Sequence, residues 1–558
     1  MQQTNSNRDW IGKRFSVITS ILISIVLLPV FSTAANAQVQ NEKRVITLTL
    51  REAMDLALRN NLDIKVDYYS VKQSEGSYIS SKALNDVTFY NNNGWSSSTS
   101  VSTGLFAGGT DEIELIPGVG ATTTEANAWT MAVGLTERIP TGGVWTIEMG
   151  MQTYDSNNRY SYVKPSRDAS IKFSFQQPLL KGFGFSFDIP QKDIIISRNN
   201  LDISVETLKT KVMNNIYSVI SAYWDLVYRQ KDLEVKRQSL QLAEDQLRRN
   251  KTQVEVGTMA PIEIVSAEAS VAQAEQVIIA AEAAVKEGQD NLIQMLYVPK
   301  NIEGWNMTIQ AVDEPTPEKF ETDLAKEIET AYKNRPDMKS VEIDLESKDL
   351  QVDVASWGLL PEISFVGSIS YIGSGGKVLI YDDPNPYNLN RNVIGSNSVE
   401  FTDVFTQIYD MRFPDWSVGL NISFPLFNSQ ARGEFANMKA ARTIAKVNMI
   451  KKQQEIAGEI RKAVRDVETN YLQIKASEKA RILSERQLEA EQKKFDVGSS
   501  TNFQVLNYQK DLAAARTIEV QARIAYSLSL YNLQLQTGML LDKNDIRINP
   551  LEDDDILF

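Results

Sequence analysis

Carboxylates are the most numerous side chains here that could do acid–base or metal chemistry, and their spacing does not use it. The 558 residues include 71 Asp and Glu but no histidine and no cysteine. That removes nucleophile–histidine pairs, thiolate nucleophiles, disulfides, Cys/His metal sites and a lipid-bearing cysteine. The acidic residues are scattered along helix-like segments, no constellation stands out, and nothing resembles a phosphate-binding loop. No enzyme activity, cofactor or metal is expected. The formal net charge of −13 argues against nucleic acid as a partner.

The elements that would position any site point to architecture instead. Arg8, Lys13 and Arg14 precede an apolar run from Phe15 to Phe31, and Ala35-Asn36-Ala37 follows it. Residues 1–37 therefore read as a secretory signal, cleaved after Ala37. Its loss takes away three positive charges and one negative, moving the net charge from −13 to −15. No later stretch approaches the ~20 apolar residues of a membrane-spanning helix.

The rest of the chain is written twice. Ala53–Lys65 is echoed by Glu327–Lys339, Ser174–Leu180 by Asn421–Phe427, and Val254–Gly257 by Phe495–Gly498. Two repeats follow, 45–310 and 311–540, with an acidic C-terminal tail over 541–558 read as a solvated end. Duplication at this period builds rings or closed walls.

Each repeat holds one very long helix. Leu201, Val205, Leu208, Val212, Ile216, Val219, Tyr223 and Leu226 form one apolar face, as do Ile456, Ile460, Ala463, Val467, Tyr471 and Ile474. About 67 residues without a break reach about 100 Å. Shorter helices are expected near 47–84, 262–298, 323–357 and 503–538, two half-struts beside each long strut. Gly257 and Gly498 interrupt the long helices as turns between antiparallel helices, where glycine takes the left-handed conformation.

Between the helices the period changes to two. Trp416, Val418, Leu420, Ile422 and Phe424 alternate with polar or small residues, as do Ile171, Phe173 and Phe175, and Ile363, Phe365, Ile369 and Tyr371. Strands are expected over about 86–178 and 361–427, meeting helices at Pro178, Pro361 and Pro425. Such alternation suits a transmembrane β-barrel with a wet lumen. The first repeat carries an additional alternating pair near 129–151, either two more barrel strands or an extracellular elaboration. Segments 102–127 and 373–414 read as exposed loops. Trp95, Trp129, Trp145 and Trp416 are candidates for interfacial girdles.

Asn334-Arg-Pro-Asp337, Leu360-Pro361 entering a strand, Phe424-Pro-Leu-Phe427 leaving one, and the two glycine turns appear in an order that resembles the TolC family of outer-membrane efflux and secretion channels. The resemblance covers about residues 45–540. It implies an α+β membrane protein whose duplicated strand–helix halves form, as a homotrimer, an outer-membrane β-barrel continued by a long periplasmic α-helical barrel. Each protomer would give four strands, twelve in all, and the structure would touch outer-membrane lipid. The implied partners are a periplasmic adaptor (membrane fusion protein) and an inner-membrane pump of RND or ABC type. The implied function is a passive exit duct of a tripartite efflux or type I secretion system.

The resemblance also puts a periplasmic gate at the helix turns. Glu263 stands at an acidic position of the family, six residues after Gly257. The second-copy acidic positions are Gln504 and Asn507, Phe495 replaces the family's tyrosine, and Ser500 replaces its basic partner. The gate residues are thus Glu263, Phe495, Ser500, Gln504 and Asn507. For Glu263 the plainer reading is a solvated carboxylate in the first turn of a helix, favoured by the dipole. The runner-up for the whole chain is a periplasmic helical adaptor or structural protein without a pore.

Overall fold

The computed structural model describes residues 45–102, 109, 111–116, 119–183, 187–296, 308–315, 318–385, 388 and 391–548. The segment expected as a secretory signal and the last ten residues lie outside them. The helices are α1 (Leu50–Asn60), α2 (Leu62–Lys82), α3 (Lys192–Glu255), α4 (Ile262–Leu296), α5 (Leu324–Asn334), α6 (Pro336–Trp357), α7 (Phe401–Tyr409), α8 (Ser429–Asp496), α9 (Asn502–Gln536) and α10 (Leu540–Lys543). The strands are β1 (Val45–Leu48), β2 (Thr88–Ser102), β3 (Asp111–Ile116), β4 (Val119–Arg138), β5 (Val144–Ser156), β6 (Val163–Pro178), β7 (Thr308–Ala311), β8 (Glu362–Tyr381), β9 (Val393–Val399) and β10 (Pro414–Ser423).

The long helices α3 and α8 hold 64 and 68 residues, about 95–100 Å of rod at 1.5 Å per residue. The apolar face read from the sequence is the buried one: Leu208, Val212, Ile216, Val219, Tyr223 and Leu226 on α3, and Ile456, Ile460, Ala463, Val467 and Ile474 on α8. Helices α2 and α4 pack on α3, and α6 and α9 pack on α8, while α9 and α6 also meet α3. Burying each large aliphatic side chain contributes about 1.5–3 kcal/mol. Packing rather than intrinsic propensity stabilises rods of this length.

Two of the expected half-struts are broken rather than continuous. Asn61 ends α1 and caps α2, its Oδ1 accepting from the amides of Asp63 (2.8 Å) and Ile64 (3.1 Å). Arg335 precedes Pro336, and proline disfavours the helical conformation in the residue before it. Arg335 accordingly sits at φ −66°, ψ 124° between α5 and α6. The short parallel pair β1–β7 ties the segment before α1 to the segment between α4 and α5. The Tyr223 hydroxyl seals it, donating to Asp313 Oδ2 at 2.6 Å and lying 2.9 Å from the Leu48 carbonyl.

The main sheet is antiparallel, in the order β10-β8-β6-β5-β4-β2. The additional hairpin, β4–β5, stands inside it between β2 and β6. This corrects the expectation of four strands per copy: six strands form the continuous path of an eight-stranded sheet, with β3 added on β4 and β9 on β8. The cause is register. Met131, Val133 and Leu135 of β4 pair with Met151, Met149 and Ile147 of β5, and Ile147 and Met149 pair with Phe173 and Ile171 of β6. The apolar stripe therefore continues across the hairpin without a step, and a one-residue slip would turn it inside out.

The segments expected as loops are also corrected. Residues 111–116 and 119–127 belong to β3 and β4, and 373–414 contains the end of β8, then β9 and α7. Glycine, serine and threonine fill much of these stretches, so hydrophobic alternation is lost although backbone pairing continues. The segment expected as a solvated end is described only to residue 548, and its first part packs on the helices. Leu540 and Leu541 are buried in the main helical core, and Ile546 and Ile548 pack against it.

Candidate functional site

Two places in the fold have the makings of a functional site: the turns that end the long helices and the two faces of the sheet. At the turns, α3 and α8 close in the same way. The Gly257 amide donates to Val254 O (3.0 Å) and the Thr258 amide to Gln253 O (2.9 Å); the Gly498 and Ser499 amides repeat this to Phe495 O (3.0 Å) and Lys494 O (2.9 Å). This is the Schellman arrangement, which needs a left-handed residue. Gly257 has φ 75° and Gly498 φ 76°. An added Cβ would meet nothing within 4 Å at either position, so conformation alone demands glycine there.

The two turns touch. Phe495 is buried with Leu488, Val505 and Leu512, and Met259 of the first turn packs onto this cluster. Beside it, Gln246, Asn250 and Asn502 are almost fully buried. Gln246 Nε2 donates to Asn250 Oδ1 (2.9 Å) and to Asn502 Oδ1 (3.1 Å). Asn502 Nδ2 donates to Glu263 Oε2 (3.1 Å), and Asn250 Nδ2 to the Glu263 carbonyl (3.3 Å). Burial of amide groups is tolerable because they satisfy one another.

Ser500 donates to Glu491, whose other oxygen takes a bond from Lys494 at 3.1 Å. These contacts hold the Glu491 carboxyl below its usual value. Of the residues singled out by sequence, Glu263, Phe495 and Ser500 thus make contacts within one protomer's tip. Gln504 is exposed and Asn507 half-exposed, and neither enters this network. Sequence reasoning missed Gln246, Asn250, Asn502 and Glu491, which have the same residue types as solvated helix faces.

A second polar layer lies further along the rods. Arg516 donates to Gln238 Oε1 (2.9 Å) and Glu485 Oε1 (2.7 Å), Arg481 pairs with Glu485 and Glu519, and Thr517 donates to Asp232 (2.8 Å). These bonds cross-tie α3, α8 and α9.

In the sheet, cross-strand partners share a face. One face carries Trp416, Val418, Leu420 and Ile422 of β10 beside Ile369, Gly367, Phe365 and Ile363 of β8, and continues through the stripe described above. The other carries a row of Tyr90, Gly134, Glu148, Lys172, Ser370 and Asp415. Tyr90 donates to Glu148 Oε2 at 2.7 Å. Such a sheet is apolar on one side and charged on the other. Trp95 and Trp129 are cross-strand partners, and Trp145 donates to Glu137 Oε2 at 2.9 Å.

The strand–helix junctions hold the prolines. Pro178 ends β6, Pro361 lies between α6 and β8, and Pro425 between β10 and α8. Asn428, in the left-handed region at φ 41°, donates to Leu359 O at 3.1 Å and so joins the last two junctions.

Among the described residues no group of acidic side chains could hold a metal, and no helix is long and apolar enough to cross a membrane. Against known proteins, the profile of the outer membrane efflux protein family matches residues 146–296 and 328–539. The outer membrane protein TolC of Vibrio cholerae is 23% identical over 387 residues, 66% of this chain and 79% of that protein. Among solved structures, the Campylobacter jejuni CmeC outer membrane channel aligns over 88% of this chain and 86% of its own, with TM-score 0.55 and 16% identity. CusC, described as a transmembrane channel, aligns over 88% and 92% with TM-score 0.59 and 14% identity.

Proposed function

We propose that this chain, which belongs to the outer membrane efflux protein family, is the trimeric exit duct of a tripartite efflux or type I secretion system. It is a channel protein of the outer membrane and not an enzyme; its helices are read as a periplasmic extension about 100 Å long.

One observation carries the reading. The six strands on the sheet's continuous path share an apolar face, yet the outermost of them, β2 and β10, are each paired on one side only among the described main strands. Nearly every residue of β10 is exposed on both faces. An open edge in lipid leaves backbone N–H and C=O groups without partners at several kcal/mol each. Strands β2 and β10 run in opposite directions, so β10 of one copy can pair antiparallel with β2 of the next. Three copies would close a barrel of eighteen strands, with the apolar stripe outward and the Glu148–Lys172 row lining the lumen. A rod-like adaptor without a pore has no use for such a sheet.

Nothing in the sequence resembles a nucleotide-binding loop, so the energy for transport is assigned to an inner-membrane pump of RND or ABC type, reached through a periplasmic adaptor. The turns at Gly257 and Gly498 are the end that would meet that adaptor. Glu263, Phe495, Ser500, Gln504 and Asn507 are proposed as the gate region, with Asn502 and Gln246 as the groups that hold its two halves together. Cysteine pairs across β2 and β10 test the closure. Disulfide-linked trimers from outer-membrane fractions support it, and linkage that stops at dimers opposes it.

A further inference from the structure

The short helix α7 lies on the apolar face of the sheet, at the end remote from the long helices. Gly373 and Gly375 of β8 point to the same side as Phe365, Ile369 and Tyr371, because alternation is unbroken between them. An added Cβ on Gly375 would sit 2.7 Å from Val404 Cγ2, and one on Gly373 2.9 Å from Val404 Cγ1. The glycines thus make a flat seat for α7, and Val404 is fully buried in it.

Three further contacts fix the helix. Gln407 accepts from the Ser374 amide (3.2 Å) and donates to its carbonyl (3.1 Å), occupying the β8 backbone just past the start of β10. Arg167, cross-strand from Gly375, pairs with Glu400 at the helix start. Its guanidinium also lies 5.8 Å from the centre of the Phe401 ring. This helix is therefore part of the wall and not a loose loop.

Its height can be worked out. Ten residues separate Ile363, near the helix-side end of the apolar stripe, from Gly373. At about 3.3 Å per residue and a barrel tilt of about 40° they span about 25 Å along the membrane normal, the height of a barrel's apolar band. The helix begins where that band ends. Its outer side is mixed: Thr402, Asp403 and Thr406 are exposed, and Tyr409, Met411 and Phe413 project with 86%, 62% and 52% of their surface free. Arg412 lies between the last two and is also exposed. Aromatic rings beside a cation suit the headgroup layer rather than the hydrocarbon.

We infer that α7 and the residues up to Phe413 form an interfacial anchor, docked on the outer wall of the barrel and seated in the headgroup layer of the outer leaflet. The occupant of this surface is lipid, because the surface continues the apolar wall directly. The inference rests on reading that wall as membrane-facing.

The chain has no cysteine, so single substitutions can be labelled with a fluorophore without background. Tyr409→Cys, Trp416→Cys and Ser98→Cys are labelled and reconstituted in phosphatidylcholine vesicles, with and without headgroup-linked nitroxide lipid. An aqueous quencher is used in parallel. The label at Tyr409 is expected to lose emission to the headgroup nitroxide more than to the aqueous quencher, whereas the Ser98 label responds to the aqueous one. A Tyr409 label quenched only from water, or shielded from both, overturns the anchor while a lipid-quenched Trp416 label leaves the wall standing. A Trp416 label quenched only from water overturns the wall reading itself, and the anchor with it.

Discussion

The side-chain amide of Asn502 donates to the carboxylate of Glu263 at 3.1 Å, joining residues 239 apart in sequence. With Gln246 and Asn250 it forms a buried polar clasp between the first and second helix turns. The two helix turns are therefore one object rather than two.

Asn502→Ala removes the donor to Glu263 and the acceptor of Gln246 together. Leaving such groups unpaired costs about 1–3 kcal/mol. The tip is expected to loosen, and single-channel conductance in planar bilayers to rise relative to the unaltered protein. Unchanged conductance would separate the clasp from gating.

The turn glycines give a contrast between strain and clash. Gly257→Ala and Gly498→Ala meet no neighbouring atoms, so each should cost only the left-handed backbone penalty, about 1–2 kcal/mol. Thermal unfolding of the two variants would read that loss, and a much larger effect would reveal packing at the tip from another chain.

Gly134 behaves in the opposite manner. A Cβ there would sit 2.5 Å from the Tyr90 ring and 2.8 Å from the Ile147 carbonyl. The ring lies across the glycine to reach Glu148. Gly134→Val should impair barrel assembly, measured as the fraction of heat-modifiable protein in outer membranes. Tyr90→Ala combined with Gly134→Val should recover part of it, since the ring has gone.

The junction of α5 and α6 carries a pH signature. Arg335 donates to Asp337 (2.7 and 2.9 Å), to Glu459 (2.5 Å) and to Gln536 Oε1 (3.1 Å). Burial pushes the Asp337 carboxyl up, but Arg335 and Lys452 outweigh it and hold the group below its ordinary value. A depressed carboxyl contributes stability above its unfolded value, about 3.9, and loses it as pH falls through the folded value. Asp337→Asn should melt earlier than the unaltered protein at pH 7, by about 1–3 kcal/mol of stability. The difference should shrink below about pH 4.

Much of this organisation was legible before the structure, and the reasons for the rest are physical. The rods were legible because Val212, Ile216 and Val219 repeat at helical spacing with no proline or glycine nearby. The break at Arg335 was present in the Arg-Pro pair but hidden by continuing apolar periodicity on both sides. Strand β2 was the hardest element. Asn91, Asn92, Asn93 and the run from Ser96 to Ser100 have no alternation, and only backbone pairing with β4 makes them a strand. That pairing also decided the strand count, which sequence length alone left at four or six. The clasp at the tips could not be read, because glutamine and asparagine on a helix look the same in water and in a buried network.

The most direct test of the account is electron microscopy of the detergent-extracted protein at a resolution that separates strands. The account predicts a threefold hollow cylinder with an eighteen-stranded barrel, β10 of one copy beside β2 of the next, and a helical stem about 100 Å long. A monomer, a solid rod without a lumen, or a twelve-stranded barrel with the β4–β5 hairpin folded outside the wall would contradict it.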